Sequence, residues 1–319
     1  MRYYLLLVLI FGAAYAFASL LVAASASLLW PAIRRRLDRP AAAAARLAAG
    51  ASLAPCAVGA MVAAVLAAAF IRFEPGNTSE TPGVLLSLGA AVAAAMALWA
   101  AVRITRAARA GARCSRVVRS GARALARADG TRIWVLDTEY PIAAVVGVFK
   151  TRLLLSTRVI EECTEAELDA IVKHERAHVR RHDNLVRAAM LYLPNPLAFL
   201  TTGREMHQTW AAAAEEAADD AAAGNAAESR TTLASALVRV AKMATTPAPD
   251  WVGGLAFYEG SNLENRVRRL LRAGSGATQV GVRSSIALAA LILCCALLLT
   301  NAAAVHLHAW MELVVQVAP

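Results

Sequence analysis

The residues best suited to chemistry in this sequence form the pentad His174-Glu175-Arg176-Ala177-His178, an H-E-x-x-H pattern in a stretch with a helical pattern. Histidines four positions apart lie on one face of a helix, so both imidazoles can bind the same ion. Glu175 is turned away from that ion, yet it can reach water as a general base. We therefore predict a zinc site of the peptidase kind, with two surface histidines on a charged helix as the alternative.

A second candidate set lies in the alanine-rich stretch 210–223, which is predicted to be helical and contains adjacent pairs of acids. Glu215 lies one helical turn before Asp219, and Glu216 has the same relation to Asp220. In either pair the glutamate can be a third zinc ligand, and the aspartate can hold a ligand histidine by its other ring nitrogen. A solvated acidic helix face is the alternative.

The elements that must position these residues include membrane helices. The chain has 319 residues, of which 58% are hydrophobic, and this is too apolar for an ordinary soluble enzyme. Four stretches are long enough to cross a bilayer as helices, at about 3–29, 50–71, 84–102 and 286–304. A cleaved signal peptide is the alternative for the first stretch, but its length and the Arg34-Arg35-Arg36 cluster after it favour a membrane helix.

The distribution of arginine predicts the orientation of these spans. Arginines follow the first and third stretches, whereas 74–83 and the residues after the fourth stretch contain no Lys or Arg. By the positive-inside rule, both termini lie outside and 103–285 lies in the cytoplasm. We expect a multi-pass protein of the cell (inner) membrane, with three membrane helices in 1–104, the metal site in 105–285, and the fourth helix and a short external tail in 286–319.

The net charge of +10 comes largely from arginines that recur at helical spacing between Arg103 and Arg127. This spacing predicts that the third membrane helix continues into the cytoplasm. The basic stripe can lie on anionic lipid headgroups, or it can simply set the topology. Nucleic acid is not an expected partner, because no aromatic residues are interleaved with the arginines.

Between the arginine stripe and the pentad, short β-strands are predicted at 133–136, 143–148 and 152–156. A peptide substrate can add a strand to the exposed edge of such a sheet. A sheet that merely packs on the pentad helix is the alternative. Thr164 and Glu167 form a capping box that predicts the start of this helix.

Beyond the pentad, Asp183-Asn184 predicts a bend or an end of the helix. The apolar segment 185–200 is broken by prolines and is too short to span, so we expect it at the membrane interface or beneath the site, with a fifth span as the alternative. A basic amphipathic helix is predicted at 263–271, where the arginines are Arg266, Arg268 and Arg269.

These motifs resemble those of integral-membrane zinc metallopeptidases of the β-lactam-receptor (BlaR/MecR) type and, more distantly, of HtpX/Ste24-like membrane peptidases. The pentad continues through Arg181 and Asp183 in a pattern similar to the family's H-E-x-x-H-x-x-R-x-D, and E-x-x-A-D matches 215–219. Residues 141–156 resemble the family's strand pair, with Thr151 where proline is common. The likeness covers about 131–225 clearly and 261–271 weakly.

The resemblance implies a mainly α membrane protein whose gluzincin-like α+β unit lies between the third and fourth membrane helices. It favours Glu215 over Glu216 as ligand, because Ala218 then precedes the aspartate of the motif. The implied site binds Zn²⁺ and comprises the metal ligands His174, His178 and Glu215, the catalytic Glu175, the orienting Asp219, and Arg181 and Asp183 as structural residues.

The function expected from the residues and the resemblance is a membrane-embedded zinc endopeptidase that cleaves a cytoplasmic or membrane-proximal protein in signal-responsive regulation. By likeness to the family, the substrate is a transcriptional repressor or the chain's own cytoplasmic loop, and the lipid bilayer is the other partner. The alternative is a non-catalytic signalling or scaffold protein with a structural zinc site, closed by a fourth ligand such as His182 or Asp183. Few residues follow the fourth stretch, so we do not expect the external sensor domain of the drug-receptor members.

Overall fold

A computed structural model of the chain describes residues 2–35, 40–74, 81–127, 130–244, 249 and 263–272. Within these residues, three long helices precede a four-stranded sheet, and six further helices follow the sheet. The protein is mainly helical, with apolar helices in its first third and a small unit of sheet and helices after them.

The first three helices are long and apolar: α1 is Arg2–Arg34, α2 is Ala41–Phe73 and α3 is Val84–Gly121. Each is long and apolar enough to cross a membrane. Helices of this length reach about 50 Å, whereas the hydrocarbon core of a bilayer is about 30 Å thick. All three therefore continue beyond the predicted spans, and their extra turns can contact the rest of the protein. The predicted fourth span, 286–304, lies outside the described residues.

Small residues allow the apolar helices to pack closely. A Cβ atom on Gly89 of α3 would lie 2.9 Å from the Cβ of Ala13 and 2.8 Å from the ring of Phe17, both on α1. Real Cβ atoms do not approach other atoms so closely. The absence of a side chain at Gly89 thus allows the contact between α1 and α3.

The prediction that the arginine stripe forms one continuous helix is wrong at its end. The helix α3 stops at Gly121, and Arg123 lies on the strand β1, Ala122–Ala126. This strand pairs antiparallel along its whole length with the next strand, β2, Arg132–Leu136. Pairing with β2 satisfies the backbone groups on one side of 122–126, and this tertiary interaction overrides a spacing that is also compatible with a helix.

The sheet has the strand order β1-β2-β4-β3. The three predicted strands correspond to β2 (Arg132–Leu136), β3 (Ala143–Val146) and β4 (Arg152–Ser156). The strand β3 pairs with β4 on one side only and forms one edge of the sheet. It ends two residues earlier than predicted, because Gly147 has a φ of 98°, in the left-handed region that favours glycine.

The pentad lies on α5, Glu165–Arg181, which follows the short helix α4, Thr157–Glu162. The predicted capping box is present at its start. The chain changes direction at His182, whose φ is 55°, and α6 (Asp183–Tyr192) begins immediately. The predicted bend therefore separates two helices.

The apolar segment after α6 packs against the membrane helices. A single 3-10 turn, Pro196–Phe199, follows α6, and the Asn195 side chain donates a hydrogen bond to the Ser52 carbonyl of α2 at 2.7 Å. The helix α6 has only 10 residues, so it is too short to span.

The acidic helix α7, Thr201–Ala223, begins earlier than predicted and carries Glu215 and Asp219. Its apolar face packs against the first turns of α2, where the contacting residues include Ala44, Ala48, Trp210 and Ala214. The helix α8, Ala227–Met243, was not predicted; it packs with α5 and the sheet in one core. The predicted basic helix is present as α9, Leu263–Leu271.

Glu167 connects α8 to the start of α5. Its carboxylate is almost fully buried and accepts hydrogen bonds from the Thr164 backbone at 2.9 Å, from Ser235 at 2.6 Å and from Arg239 at 3.1 Å. Burial raises the pKa of Glu167, but these hydrogen bonds outweigh burial, and the net pKa lies below the ordinary value of 4.5. The carboxylate therefore stabilises the fold above the unfolded-state pKa, and this contribution is lost as the pH falls through the lower folded-state pKa.

We expect Glu167→Gln to lower the free energy of unfolding by about 1.5–3 kcal/mol at pH 7, because charge-assisted hydrogen bonds are lost from a buried site. The difference from the parent should shrink as the pH falls below about 4. Glu165→Gln is the matched control on the same helical turn, since the Glu165 side chain is 83% exposed, and it should cost less than about 1 kcal/mol. Unfolding in detergent at both pH values measures this; equal losses at the two positions would contradict the prediction.

Candidate metal centre

Three side chains that can bind a metal converge between α5 and α7. One ligand atom from each of His174, His178 and Glu215 lies within 4.8 Å of the others. The Nε2 atoms of the two histidines are 3.2 Å apart. Each of these nitrogens lies 3.5 Å from a carboxylate oxygen of Glu215. The structure thus brings together two predicted ligands from one helix and one from another.

The separations between these donor atoms fit a single zinc ion. With zinc–ligand bonds of about 2.0–2.1 Å, neighbouring ligand atoms of a tetrahedral site lie about 3.3–3.4 Å apart. The Nε2–Nε2 separation of 3.2 Å and the 3.5 Å separation of His174 Nε2 from Glu215 Oε2 lie on either side of that value, and the 3.5 Å contact of His178 Nε2 is to the other oxygen, Oε1. Two imidazoles and one glutamate also form a ligand set that catalytic zinc sites use, in which a fourth position stays available to water or substrate.

A carboxylate lies beside the second ring nitrogen of each histidine. The Asp219 Oδ1 atom is 3.0 Å from Nδ1 of His174, and the Asp183 Oδ2 atom is 2.7 Å from Nδ1 of His178. In a neutral ring a carboxylate at these distances favours a proton on Nδ1, so each Nε2 offers a lone pair to the space between the rings. The Asp183 contact has hydrogen-bond geometry, whereas the Asp219 contact has the distance of an ion pair without that geometry. Two lone pairs at 3.2 Å need a cation or a proton between them. The donor set therefore fits a bound metal ion.

The sequence predicts Asp219 for this contact, whereas Asp183 is predicted only as a structural residue. Arg181 holds Asp183 in place, with Nη2 at 3.1 Å from Asp183 Oδ2, and its Nη1 donates to the Ala214 carbonyl of α7 at 3.0 Å. Arg181 thus links the end of α5 to the helix that carries Glu215. Asp183 lies on the far side of the His178 ring, and His182 is exposed. Neither is part of the converging ligand group.

The neighbouring glutamate has a different environment. The carboxylate of Glu216 lies 3.9 Å from Arg269 of α9, and the next acid on that face, Asp220, lies 2.8 Å from the same arginine. The Glu215 carboxylate, by contrast, lies 3.5 Å from Nε2 of each of the two histidines. Of the two alternatives left by the acid spacing, the structure places Glu215 with the pentad.

Arg266 of α9 also contacts the site, although the sequence did not single it out from the other arginines of that helix. It donates to the two Asp219 carboxylate oxygens at 2.9 and 2.7 Å, and Nη1 lies 2.9 Å from Glu215 Oε2. The spacing in 263–271 predicts a basic helix but does not tell which arginine faces α7. Asp219 could have indicated that an arginine contacts this site, because an aspartate buried on an alanine-rich helix face needs a positively charged partner.

Burial and these contacts shift the pKa values of the site. Burial lowers the pKa of His174, but the carboxylates of Asp219 and Glu215 outweigh burial and raise this pKa to about 9. Burial raises the pKa of Glu215, yet the neighbouring His174 and Arg266 bring it well below its ordinary range. Glu215 therefore stays ionised at neutral pH, which favours a bound cation.

Glu175 differs from Glu215 although both are acids of the same site. Burial raises the pKa of Glu175, and the nearby His174 and His178 only partly offset this rise. A carboxyl group with a raised pKa can accept and release a proton closer to neutral pH. This property suits the predicted general base.

The donor atoms, Glu175 and the edge strand β3 face one cavity of about 140 Å³. The wall formed by β3 includes Ala143, Ala144 and Val145. Another part of the lining is apolar and includes Leu233, Leu237 and Val240 of α8. The cavity thus combines a few polar groups with apolar walls, as substrate sites commonly do.

The edge of β3 presents backbone groups near this cavity. The Ile142 carbonyl accepts a hydrogen bond from the Ser156 N–H at the end of β4. Because backbone groups alternate in an antiparallel pair, Ala144 also points its N–H and C=O toward β4, whereas Ala143 and Val145 point theirs toward the free edge. The Asn184 side chain donates to the carbonyls of Val145 and Gly147 at 3.0 and 2.8 Å. Asn184 thus occupies the Val145 end of the edge, and the backbone N–H and C=O of Ala143 face outward at the cavity that the metal ligands also line.

Comparison with known proteins adds a family assignment. The family model described as BlaR1 peptidase M56 matches residues 1–270. This range includes the three apolar helices, the sheet, the helices α5 and α7, and nearly all of α9. Searches of curated proteins and of solved structures found no match.

We expect Glu215→Gln to weaken zinc binding by more than about 100-fold. Loss of a residue that only contacts a ligand costs about 10–100-fold in metal affinity, and this substitution removes a charged ligand itself. Glu216→Gln is the matched control one position along α7 and should stay within about 3-fold of the parent. Competition with a chromophoric chelator on the metal-free chain measures both affinities. The choice of Glu215 is wrong if Glu216→Gln causes the larger loss.

Proposed function

The chain belongs to the BlaR1-type peptidases of family M56, and from that premise we propose that it is a membrane-bound zinc endopeptidase. Peptidases of this family are metal-dependent. One observation supports the proposal most: the ligand atoms of His174, His178 and Glu215 converge in a cavity that also contains Glu175 and an edge strand. This cavity offers a place for a metal, a base and an extended peptide.

The residues of the chain have separable roles in the proposed reaction. His174, His178 and Glu215 would hold the ion, and Asp219 and Asp183 would keep the two rings in the tautomer that offers Nε2. A zinc ion held there would supply polarisation of the scissile carbonyl and would lower the pKa of a bound water toward ~7. The Glu175 carboxylate accepts the proton of the attacking water and passes it to the leaving amine nitrogen. A carbon–oxygen bond forms and the peptide carbon–nitrogen bond breaks.

The shape of the cavity supports a substrate in an extended conformation with apolar side chains. The outward backbone groups of Ala143 can pair with a peptide strand, as in other cases of strand addition. The apolar residues of α8 can accept a side chain of that strand. We propose a cytoplasmic or membrane-proximal protein as substrate, and by family analogy a transcriptional repressor or the chain's own loop.

We also propose that the metal site lies in a cytoplasmic gluzincin-like unit, 105–285, between three membrane helices in 1–104 and a fourth in 286–319. The support is that Arg34, at the end of α1, lies 3.3 Å from Glu205 of α7, and that α3 leads directly into the sheet. The arginine-bearing ends of α1 and α3 thus lie on the side of the metal site. The stretch 74–83, without Lys or Arg, follows the opposite end of α2. The positive-inside rule then assigns the metal site to the cytoplasm.

We expect Glu175→Gln to keep zinc within about 3-fold of the parent affinity and to slow proteolysis about 10²–10⁴-fold, the usual contribution of general acid–base catalysis. Zinc content, together with mass spectrometry of new chain termini in the protein and in co-purifying cytoplasmic proteins, measures both effects. Glu162→Gln, an exposed acid of α4 outside the cavity, is the control that should cleave as the parent does. Cleavage by Glu175→Gln at the parent rate would refute its role as base.

The proposed topology predicts labelling from opposite sides of the membrane. With the native cysteines replaced by serine, a cysteine at Thr81 should react with an impermeant maleimide added to intact cells. A cysteine at the exposed Ser120, at the end of α3, should react only after permeabilisation. The reverse pattern would place the metal site outside the cell.

A further inference from the structure

We infer that Arg266 is a positioning residue of the metal centre, whose guanidinium holds both the ligand Glu215 and the residue that orients His174. By this role α9 becomes part of the site and contributes to its metal affinity. The inference rests on the metal site of the proposed function, but it does not depend on which protein the chain cleaves.

One side chain reaches two acids of the site. The Nε and Nη2 atoms of Arg266 donate to the two oxygens of Asp219, and Nη1 lies 2.9 Å from Glu215 Oε2. Asp219 in turn lies 3.0 Å from Nδ1 of His174. The planar guanidinium therefore sets the orientation of one ligand directly and of a second ligand through Asp219.

These contacts are shielded from water. The Asp219 side chain is fully buried and the Arg266 side chain is 14% exposed. Truncating one partner of such a pair leaves the other charge buried without compensation, which is strongly unfavourable. Without the guanidinium, the Asp219 carboxylate would lose the two hydrogen bonds that fix its orientation, and its rotation would release the His174 ring from its position.

The helix α9 does not depend on Arg266 alone for its position. Arg230 of α8 donates to carbonyls at the end of α9, including those of Leu270 and Arg269, at 2.9 and 3.0 Å. Arg269 bonds to Asp220 and to the Glu216 carbonyl at 2.8 and 2.7 Å. Leu270 packs in an apolar core with α7 and α8. A change at Arg266 can therefore affect the metal site while α9 stays in place.

The sign of the effect separates positioning from simple charge. A positive group beside the ligands repels a divalent cation, so a purely electrostatic influence predicts that removing Arg266 tightens metal binding. Positioning predicts the opposite. The ligand separations of 3.2 and 3.5 Å, which already suit zinc, occur with the guanidinium in contact with Glu215. The guanidinium thus coexists with the arranged ligands.

The test measures zinc affinity of the metal-free full-length chain in detergent by chelator competition, and records the visible absorption of the Co²⁺-substituted protein. Arg266→Gln removes both the positive charge and the planar guanidinium, whereas Arg266→Lys keeps the charge but cannot donate to both carboxylates with the same geometry. Arg269→Gln is the matched control, because it weakens the docking of α9 on the same helix without touching the ligands.

We expect zinc affinity to fall about 10–100-fold in Arg266→Gln, as for other outer-shell partners, and to fall measurably in Arg266→Lys, with altered Co²⁺ bands in both. Arg269→Gln should stay within about 3-fold of the parent with unchanged Co²⁺ bands. Unchanged or tighter zinc binding in Arg266→Gln would overturn the inference. So would parent-like behaviour of Arg266→Lys, or an equal loss in Arg269→Gln. If Arg266→Gln does not fold, Arg266→Lys and the Co²⁺ spectrum decide the matter.

The outcomes also separate this inference from the proposed function. If the parent binds zinc and Arg266→Gln loses affinity while neither cleaves protein, the peptidase proposal fails and the positioning role stands. If the parent binds zinc and cleaves protein while Arg266→Gln keeps full affinity, only the positioning role fails.

Discussion

The structure depends on two imidazole nitrogens that face each other across 3.2 Å, Nε2 of His174 and Nε2 of His178. Two lone pairs at this distance repel each other unless a proton or a metal cation lies between them. One helix, α5, provides both rings, and it must meet a second helix, α7, for a carboxylate to complete the set. The capping box at Thr164 and the buried Glu167 fix where α5 begins, and Arg181 ties its end to α7.

The position of α7 is determined in turn by the membrane helices. Alanines at the start of α2 pack against Trp210 and Ala214 of α7. Ala214 directly precedes the metal ligand Glu215. The loop before α7 is held in the same way, since the Tyr15 hydroxyl of α1 donates to the Pro194 carbonyl and Asn195 donates to Ser52 of α2. The loop thus contacts Tyr15 and Ser52 inside the predicted spans, whereas α7 contacts the part of α2 that precedes the predicted span 50–71. Helix length, which exceeds the thickness of a bilayer, makes this contact possible.

Sequence reasoning predicted the elements whose signals are local. The capping box gave the start of α5, and turn residues separated β2, β3 and β4. The pentad and the acid spacing on α7 are also local, because helical periodicity alone places such residues on one face. The resemblance to the β-lactam-receptor peptidases is confirmed by the family match over 1–270.

The features that were missed depend on tertiary contacts. The strand β1 looks helical by its arginine spacing and forms only because β2 offers an edge. The helix α8 carries no motif, although it forms one wall of the cavity. Arg266 is one of several arginines on a short basic helix, and only the packing of α9 on α7 and α8 identifies it. Which of Glu215 and Glu216 is the third metal ligand likewise depends on the family resemblance or on the structure, because helical spacing is the same for both.

The most direct measurement of the central claim is zinc X-ray absorption spectroscopy on the metal-loaded chain in detergent. The convergence of His174, His178 and Glu215 predicts a shell of only nitrogen and oxygen ligands at about 2.0–2.1 Å, with the outer scattering of two imidazoles. Substituting His178 by Ala should reduce the imidazole signal to one ring. Sulfur ligands at about 2.3 Å, or a shell without imidazole scattering, would contradict the account.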